Sequence, residues 1–315
     1  MALIGLLHLN RNSQSRITTQ CTGVAGRTEI EVNVTGGNPV ILVVMPQRDT
    51  FAPPEIMPQR HRIQFPPRDA NDLAQDEVTF QVLEGDRRLE LRFHDYDQIY
   101  LRPGLYEQVF YERLKCTSPK KVGELLKLTL DASEQNFSEM RVLDLGAGNG
   151  MMGEIMKTYG VARLIGADII PEAKEACYRD RPGIYDDYYV ADFTNLKAEL
   201  IDEIQDWSID CLTSVAALGF GDIPPKAFFQ ALQFVADGGW TAFNIKETFL
   251  DNSDTSGFSR FIRELIFSEY LDIHHIERYR HRLSMEGAPL YYFAIVAQKS
   301  AVIPANFLDA HGIEA

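Results

Sequence analysis

Val142-Leu-Asp-Leu-Gly-Ala-Gly-Asn-Gly150 is the stretch whose reading decides the fold of this chain. An apolar strand runs into Asp144, and glycines follow at alternate positions, Gly146, Gly148 and Gly150, with Ala147 between the first two. Glycine lets a backbone turn sharply and come within contact distance of a ligand. A helix starting near Met151 then turns its positive N-terminus toward a ligand's carboxylate. A plain strand-to-helix turn needs fewer glycines than three after an acid.

Downstream, Leu164-Ile-Gly-Ala-Asp168 is a second apolar strand ending in an acid, 18 residues beyond Gly150. A carboxylate there can accept hydrogen bonds from two vicinal ribose hydroxyls, or it can cap a helix starting near Pro171. Asp192-Phe193 closes a third strand at Tyr188–Val190, and an acid beside an aromatic suits the amine and ring face of an adenine; a structural role for either residue is equally compatible. A fourth strand runs through Cys211–Val215, followed by Trp240–Ile245 and Tyr291–Ala297. Short apolar strands alternating with amphipathic helices predict a parallel, doubly wound sheet with its ligands at the strands' carboxyl ends. Gly148, Gly150 and Gly153 also satisfy G-x-G-x-x-G, which raises a nicotinamide-dependent dehydrogenase as a competing reading. In a dehydrogenase the fingerprint would follow the strand directly, without Asp144 and an additional Gly146.

Upstream, residues 1–95 read as β-rich. Ile30, Val32 and Val34 alternate with polar residues, and Val40–Val44 is an apolar run after the turn Gly36-Gly37-Asn38-Pro39. Val78, Phe80 and Val82, the turn Glu84-Gly85-Asp86-Arg87, and Leu89, Leu91 and Phe93 together predict a hairpin. A Pro- and Arg-rich loop, Pro46–Pro67, separates the two pairs. Residues 1–95 hold ten Arg and no Lys against twelve acids, whereas most of the net charge of −14 lies beyond them. This shift, with the helical spacing of Val109–Leu114 and Val122–Leu130, places an expected boundary near residue 95. The expected organisation is a β-rich domain at 1–95, for acceptor binding or oligomerisation, an α/β domain at 96–300 and a tail at 301–315.

Composition narrows the partners. An acidic total argues against a nucleic acid held by its phosphates. No apolar run approaches the roughly 20 residues of a membrane span, and Met1–Leu7 is too short for a signal segment, so a cytoplasmic protein with no membrane partner is expected. Cys21, Cys116, Cys177 and Cys211 form no CxxC pair, so reduced thiols and no metal site are expected.

The stretch from Tyr96 to about Lys299 resembles class I S-adenosylmethionine-dependent methyltransferases, and more narrowly the Williams–Beuren-region-like methyltransferases. The resemblance rests on the glycine motif, the Asp168 strand, Tyr185-Asp-Asp-Tyr-Tyr-Val-Ala-Asp-Phe-Thr194, Asp210 to Pro224-Pro225, Asp237-Gly-Gly-Trp240 and Lys246-Glu247. It implies a Rossmann-like, doubly wound, mostly parallel α/β sheet, here with an additional N-terminal β-rich domain, and S-adenosyl-L-methionine as cofactor. It also implies that the opening Tyr96-Asp97 and Tyr106 fold over the cofactor. At near-helical spacing Tyr96, Tyr100, Tyr106, Phe110 and Tyr111 equally suit a core. The expected cofactor-binding set is Tyr106, Asp144, Gly146, Ala147, Gly148, Gly150, Asp168, Ile169, Asp192, Phe193, Ser214 and Val215, the last two where strand four ends under the sulfonium. In the subgroup a histidine-containing stretch follows strand four; here it is Leu218-Gly-Phe-Gly-Asp222, which leaves no histidine for catalysis at that place.

Methyl transfer is an in-line displacement at an activated carbon, so positioning dominates and a base is needed only if the acceptor loses a proton. Candidate bases are Asp222, Glu247, His281 and the pair His274-His275, against blander readings: surface for the histidine pair, and pairing with Lys246 or a neighbouring strand for Glu247. The expected function is methylation of a small organic acceptor at oxygen, nitrogen or sulfur. A protein or RNA substrate and a non-catalytic cofactor-binding interaction module are the alternatives. The Arg60-His61-Arg62 cluster could receive an anionic group, though a solvated loop is the blander state. A homodimer is a further expectation.

Overall fold

The computed structural model describes residues 17–24, 27–34, 40–44, 59–65, 78–219, 222–250 and 257–313. The chain divides into two compact units, Met1–Met57 and Pro58–Ala315. In the first, β1 (Ile17–Val24), β2 (Arg27–Val34) and β3 (Val40–Val44) form an antiparallel sheet in chain order. The expected facing of Ile30, Val32 and Val34, and most of the Pro46–Pro67 loop, lie outside the described residues.

The second unit opens with β4 (Arg62–Gln64), β5 (Thr79–Glu84) and β6 (Arg87–Arg92), antiparallel, and the hairpin turns at Gly85 as expected. Alternation puts Phe80, Val82, Leu91 and Phe93 inward. They share one apolar cluster with Ile99, Leu105, Val109 and Leu114. The boundary expected at residue 95 is therefore corrected to 57/58, because a core common to both sides of residue 95 ties the hairpin to the helical segments after it.

Next come α1 (Tyr96–Tyr100), a π-helix (Glu107–Arg113) and α2 (Ser118–Ala132). The α/β part continues as β7 (Arg141–Leu145), α3 (Met151–Thr158), β8 (Arg163–Asp168), α4 (Pro171–Asp180), β9 (Asp187–Val190), α5 (Ala198–Asp206), β10 (Cys211–Ser214), α6 (Pro225–Gln233) and β11 (Trp240–Lys246). Last are α7 (Phe258–Phe267), β12 (Leu271–Leu283), β13 (Pro289–Lys299) and α8 (Phe307–Ala310).

One seven-stranded sheet in the order β9-β8-β7-β10-β11-β13-β12 organises this part. The first five strands are parallel, and β13 runs antiparallel to both its neighbours. Successive side chains of a strand point to opposite faces. Leu143, Ile165, Leu212 and Phe243 accordingly pack against α5, α6 and α7, through Ile204, Phe228, Leu232 and Phe261. Their neighbours Val142, Leu164, Cys211 and Ala242 pack against α2 and α3, through Val122, Leu126, Met152 and Met156. Burial on both faces is why these strands read as continuous apolar runs. The order reverses between β7 and β10, which opens a crevice at their carboxyl ends.

The segment expected as a tail packs on the core, with Ile303, Phe307, Leu308 and Ile313 buried on its α5–α7 side. Strand β12 carries His274-His275, which the sequence did not assign to a strand. It is an edge strand whose outward positions are polar apart from Ile276, so its apolar content is low. A register shift between Arg280 and Arg282 breaks its alternation, leaving His281 and Arg282 buried in succession. Among the described residues no helix is long and apolar enough to cross a membrane.

Candidate active site

At the end of β7 the chain enters the glycine loop. Gly146, Gly148 and Gly150 have φ of +72°, +53° and +91°, a region that penalises any Cβ. Two amides, those of Gly146 and Ala147, donate to the Ala167 carbonyl at 2.8 and 3.0 Å. The Gly148 amide donates to Asp168 Oδ2 at 2.9 Å, and the Tyr188 hydroxyl donates to the Gly148 carbonyl at 2.7 Å. The loop is thus held from β8 and β9.

A cavity of about 330 Å³ lies over this loop at the carboxyl ends of β7, β8, β9 and β10. That is within the ~300–1,000 Å³ typical of small-molecule sites. Of the expected cofactor residues, Tyr106, Gly146, Ala147, Gly148, Asp168, Ile169, Asp192, Phe193 and Val215 line it. Asp168 is largely buried, which raises its pKa against the opposing pull of the Ile170 and Gly148 amides. Ile169 projects at 57% exposure at the end of β8. Asp192 takes the Thr194 hydroxyl and amide at 2.7 and 2.8 Å, which lowers its pKa and keeps it anionic. Phe193 does two jobs, lining the cavity while its ring packs on Phe234.

Three expected residues do not reach the cavity. Asp144 is 1% exposed beneath the loop, where the Tyr185 and Thr213 hydroxyls donate to its two oxygens at 2.6 and 2.7 Å. Burial raises its pKa to about 6. Gly150 is the N-cap of α3, and Ser214 is wholly buried. These three shape the loop from below, a distinction that strand-end position alone cannot make.

The tyrosines form a roof. Tyr96, Tyr100, Tyr106 and Tyr111 line the cavity in a continuous ring cluster, with Tyr100–Tyr106 centroids 5.2 Å apart. Phe110 goes to the core beside Phe93. The roof is tied to the floor by residues the sequence did not single out. Glu107 Oε1 accepts from Asn149 Nδ2 at 2.7 Å and from Arg181 Nη1 at 2.9 Å, while Arg181 also donates to the Asn149 carbonyl. No motif flags these charges, because they meet only when α4 packs beside the loop. Cavity-lining Asn149 leaves its Oδ1, itself buried, without a hydrogen-bond partner among the described residues.

A family model described as a methyltransferase domain matches residues 119–286, just over half of the 315 residues. The chain belongs to the methyltransferase domain family. It is an S-adenosylmethionine-dependent methyltransferase of class I, not a nicotinamide-dependent dehydrogenase. The residues present fit that cofactor: the cavity offers the backbone of a glycine loop, carboxylates at two neighbouring strand ends and a buried amide oxygen that lacks a donor. No curated protein matches the sequence. Several solved methyltransferases are similar to it. N-methyltransferase NodS from Bradyrhizobium japonicum WM9 is 15% identical, with 66% of this chain and 98% of that chain covered and a TM-score of 0.46. Magnesium protoporphyrin IX methyltransferase from Synechocystis PCC 6803 is 12% identical over 58% of this chain and 79% of that one, with a TM-score of 0.41. The ribosomal protein L11 methylase from Lactobacillus delbrueckii subsp. bulgaricus is 14% identical over 57% and 79%, with a TM-score of 0.39.

Of the candidate bases in this methyltransferase, only Asp222 lines the cavity, with His94 Nδ1 2.9 Å from its Oδ2. Glu247 pairs with Arg278 of β12 at 2.7 Å and lies outside the cavity. His281 is buried with Nδ1 2.6 Å from Ser118 Oγ and its ring 4.1 Å from that of Tyr292; burial holds its pKa far below the usual value, so it is neutral. His274 packs on Trp240 and His275 sits near Glu277, both on β12 and away from the cavity. In the Arg60-His61-Arg62 cluster, two residues are already engaged. Arg60 pairs with Glu112, and the His61 amide donates to Gln108 Oε1 at 2.9 Å.

Proposed function

We propose that this methyltransferase acts on a small organic acceptor and holds S-adenosylmethionine across Gly146–Asn149. The ribose hydroxyls lie on Asp168, the adenine lies beside Asp192 and Phe193, and the methyl donor lies near Val215. The observation that carries the reading is the cavity over the glycine loop, in which Asp168 already accepts the Gly148 amide and has lone pairs left for two hydroxyls. A roof of tyrosines leaves a chamber of small-molecule size, which favours a small acceptor over a protein or RNA strand. Tyr96 and Tyr106 in that roof also support placement near the Williams–Beuren-region-like group, although Asp97 does not line the cavity.

When bound, the sulfonium supplies a methyl group already activated for displacement. The protein's part is to orient and to dry the site. Tyr96, Tyr100 and Tyr106 close it from above, and the loop backbone fixes it from below. With Asp168 and Asp192 given to the cofactor, Asp222 is the remaining cavity-lining carboxylate among the described residues to take a proton from an acceptor.

Calorimetric titration with S-adenosylmethionine, S-adenosylhomocysteine and NAD tests this. Micromolar binding of the first two is expected, reduced about ten- to a hundredfold in Asp168→Ala, as for a lost charge-assisted pair of hydrogen bonds. Binding of NAD alone, or an unchanged affinity in Asp168→Ala, would sink the assignment.

A further inference from the structure

Arg282 is a buried charge that does not line the cavity over the glycine loop. It is 5% exposed, and among the described residues its guanidinium makes one hydrogen bond, from Nη1 to the adjacent Leu283 carbonyl at 3.0 Å. No carboxylate of the described residues lies within ion-pair distance of it, and its Cζ lies 5.5 Å from the centre of the Phe93 ring. A buried guanidinium ordinarily has a carboxylate partner, because desolvating a lone charge costs several kcal/mol or more. Burial is also what lowers its pKa, against a smaller opposing pull led by Tyr292 and Tyr96. The backbone contributes to this placement. A register shift between Arg280 and Arg282 abolishes the alternation that would have turned one of His281 and Arg282 to solvent.

Arg282 lines a second cavity of about 40 Å³. Tyr96, Tyr106, Ala216, Ala217 and Asp222 line both cavities, so the smaller is a side chamber of the larger. The chamber is small beside the larger cavity, about 40 against 330 Å³, and so suits one small group of a bound molecule. A carboxylate matches the fork of a guanidinium in two parallel bonds. The other acid in the chamber, Asp222, is already matched by His94.

Resting on the reading that the larger cavity holds S-adenosylmethionine, we infer that the methyl acceptor is a small carboxylic acid whose carboxylate pairs with Arg282 in the side chamber. Its body then lies against Tyr96 and Tyr106, which face both cavities. Arg282 selects the acceptor and does not touch the cofactor.

The full-length protein saturated with S-adenosylhomocysteine is titrated calorimetrically with acetate and benzoate, and with acetamide and benzamide as neutral counterparts. At least one carboxylate should bind the wild type tenfold or more tightly than its amide. Arg282→Gln should erase that preference while S-adenosylhomocysteine affinity stays within twofold. Arg282→Lys, which keeps the charge, should retain part of it and covers the case in which the glutamine variant does not fold. Equal affinities for acid and amide, no binding of either carboxylate, or a preference intact in Arg282→Gln overturns the inference and leaves the cofactor reading standing. Failure of S-adenosylhomocysteine to bind the wild type removes the cofactor reading, and this inference with it.

Discussion

Gly148 shows how much a single residue constrains this site. Its φ of +53° disfavours any side chain, and an added Cβ would lie 2.5 Å from the Tyr100 hydroxyl oxygen. A left-handed non-glycine residue costs about 1–2 kcal/mol before that clash is counted. Gly148→Ala should therefore weaken S-adenosylhomocysteine binding about tenfold by calorimetry, and adding Tyr100→Phe, which removes the oxygen the Cβ meets, should recover part of the loss. Asp144 gives a pH signature instead. Its pKa is about 6 in the folded protein against a reference of 3.8. The native state therefore holds the proton more tightly than the unfolded chain. Its stabilising contribution is complete below pH 3.8 and is lost as pH rises to about 6. From pH 5 to pH 7 this carboxyl should cost the wild type about 1 kcal/mol relative to Asp144→Asn, whose side chain does not titrate. Urea unfolding of both proteins at the two pH values reads the difference; parallel pH profiles would show that Asp144 is not the buried acid described.

At the scale of elements, the question is what holds the tyrosine roof on the floor. The π-helix and α4 belong to different layers, and their link is the hub at Glu107, Arg181 and Asn149, with Arg179 Nη1 donating to the Tyr100 carbonyl at 2.9 Å. Arg181 also bonds Glu154 of α3 at 3.0 Å, so one side chain joins three helices. In Arg181→Met, amide exchange across Tyr106–Leu114 should quicken, while β7 and β8 amides in the middle of the sheet keep their protection. Uniform acceleration would mean instead that Arg181 supports the whole fold. Tyr106 sits at the centre of the ring cluster. Tyr106→Ala should reduce S-adenosylhomocysteine affinity several-fold without lowering the melting temperature as far as a core deletion does, because its ring faces the cavity and is only partly buried.

For the whole molecule, the division at 57/58 has a direct consequence. A fragment 58–315 should fold and bind S-adenosylhomocysteine within about twofold of the full chain. A fragment 96–315 lacks Phe80, Val82, Leu91 and Phe93, all buried at 3% exposure or less. Deleting one buried phenylalanine side chain costs about 3–5 kcal/mol, and folded domains hold only about 5–15 kcal/mol in total. The shorter fragment should show no cooperative thermal transition by circular dichroism. If it melts like the longer one, the hairpin is a separate module after all.

The sequence determined the sheet and the loop. Val142–Leu145, Leu164–Ala167 and Cys211–Val215 carry apolar residues on both faces, the pattern of strands covered by helices on both sides. Glycines at 146, 148 and 150 announced the positive φ values, because few other residues adopt them without strain. Asp168, Asp192 and Phe193 were legible as strand ends facing the crevice. Other features come from contacts between residues far apart in the chain, and periodicity does not encode those. Asp144 looked like a ligand contact until Tyr185 and Thr213 were seen to occupy both its oxygens. The hub at Glu107 and Arg181 needed the π-helix and α4 brought together, 74 residues apart. Arg282 sits on an edge strand of polar composition, and only a register shift, a property of the pairing of two strands, turned it inward to become an unmatched buried charge.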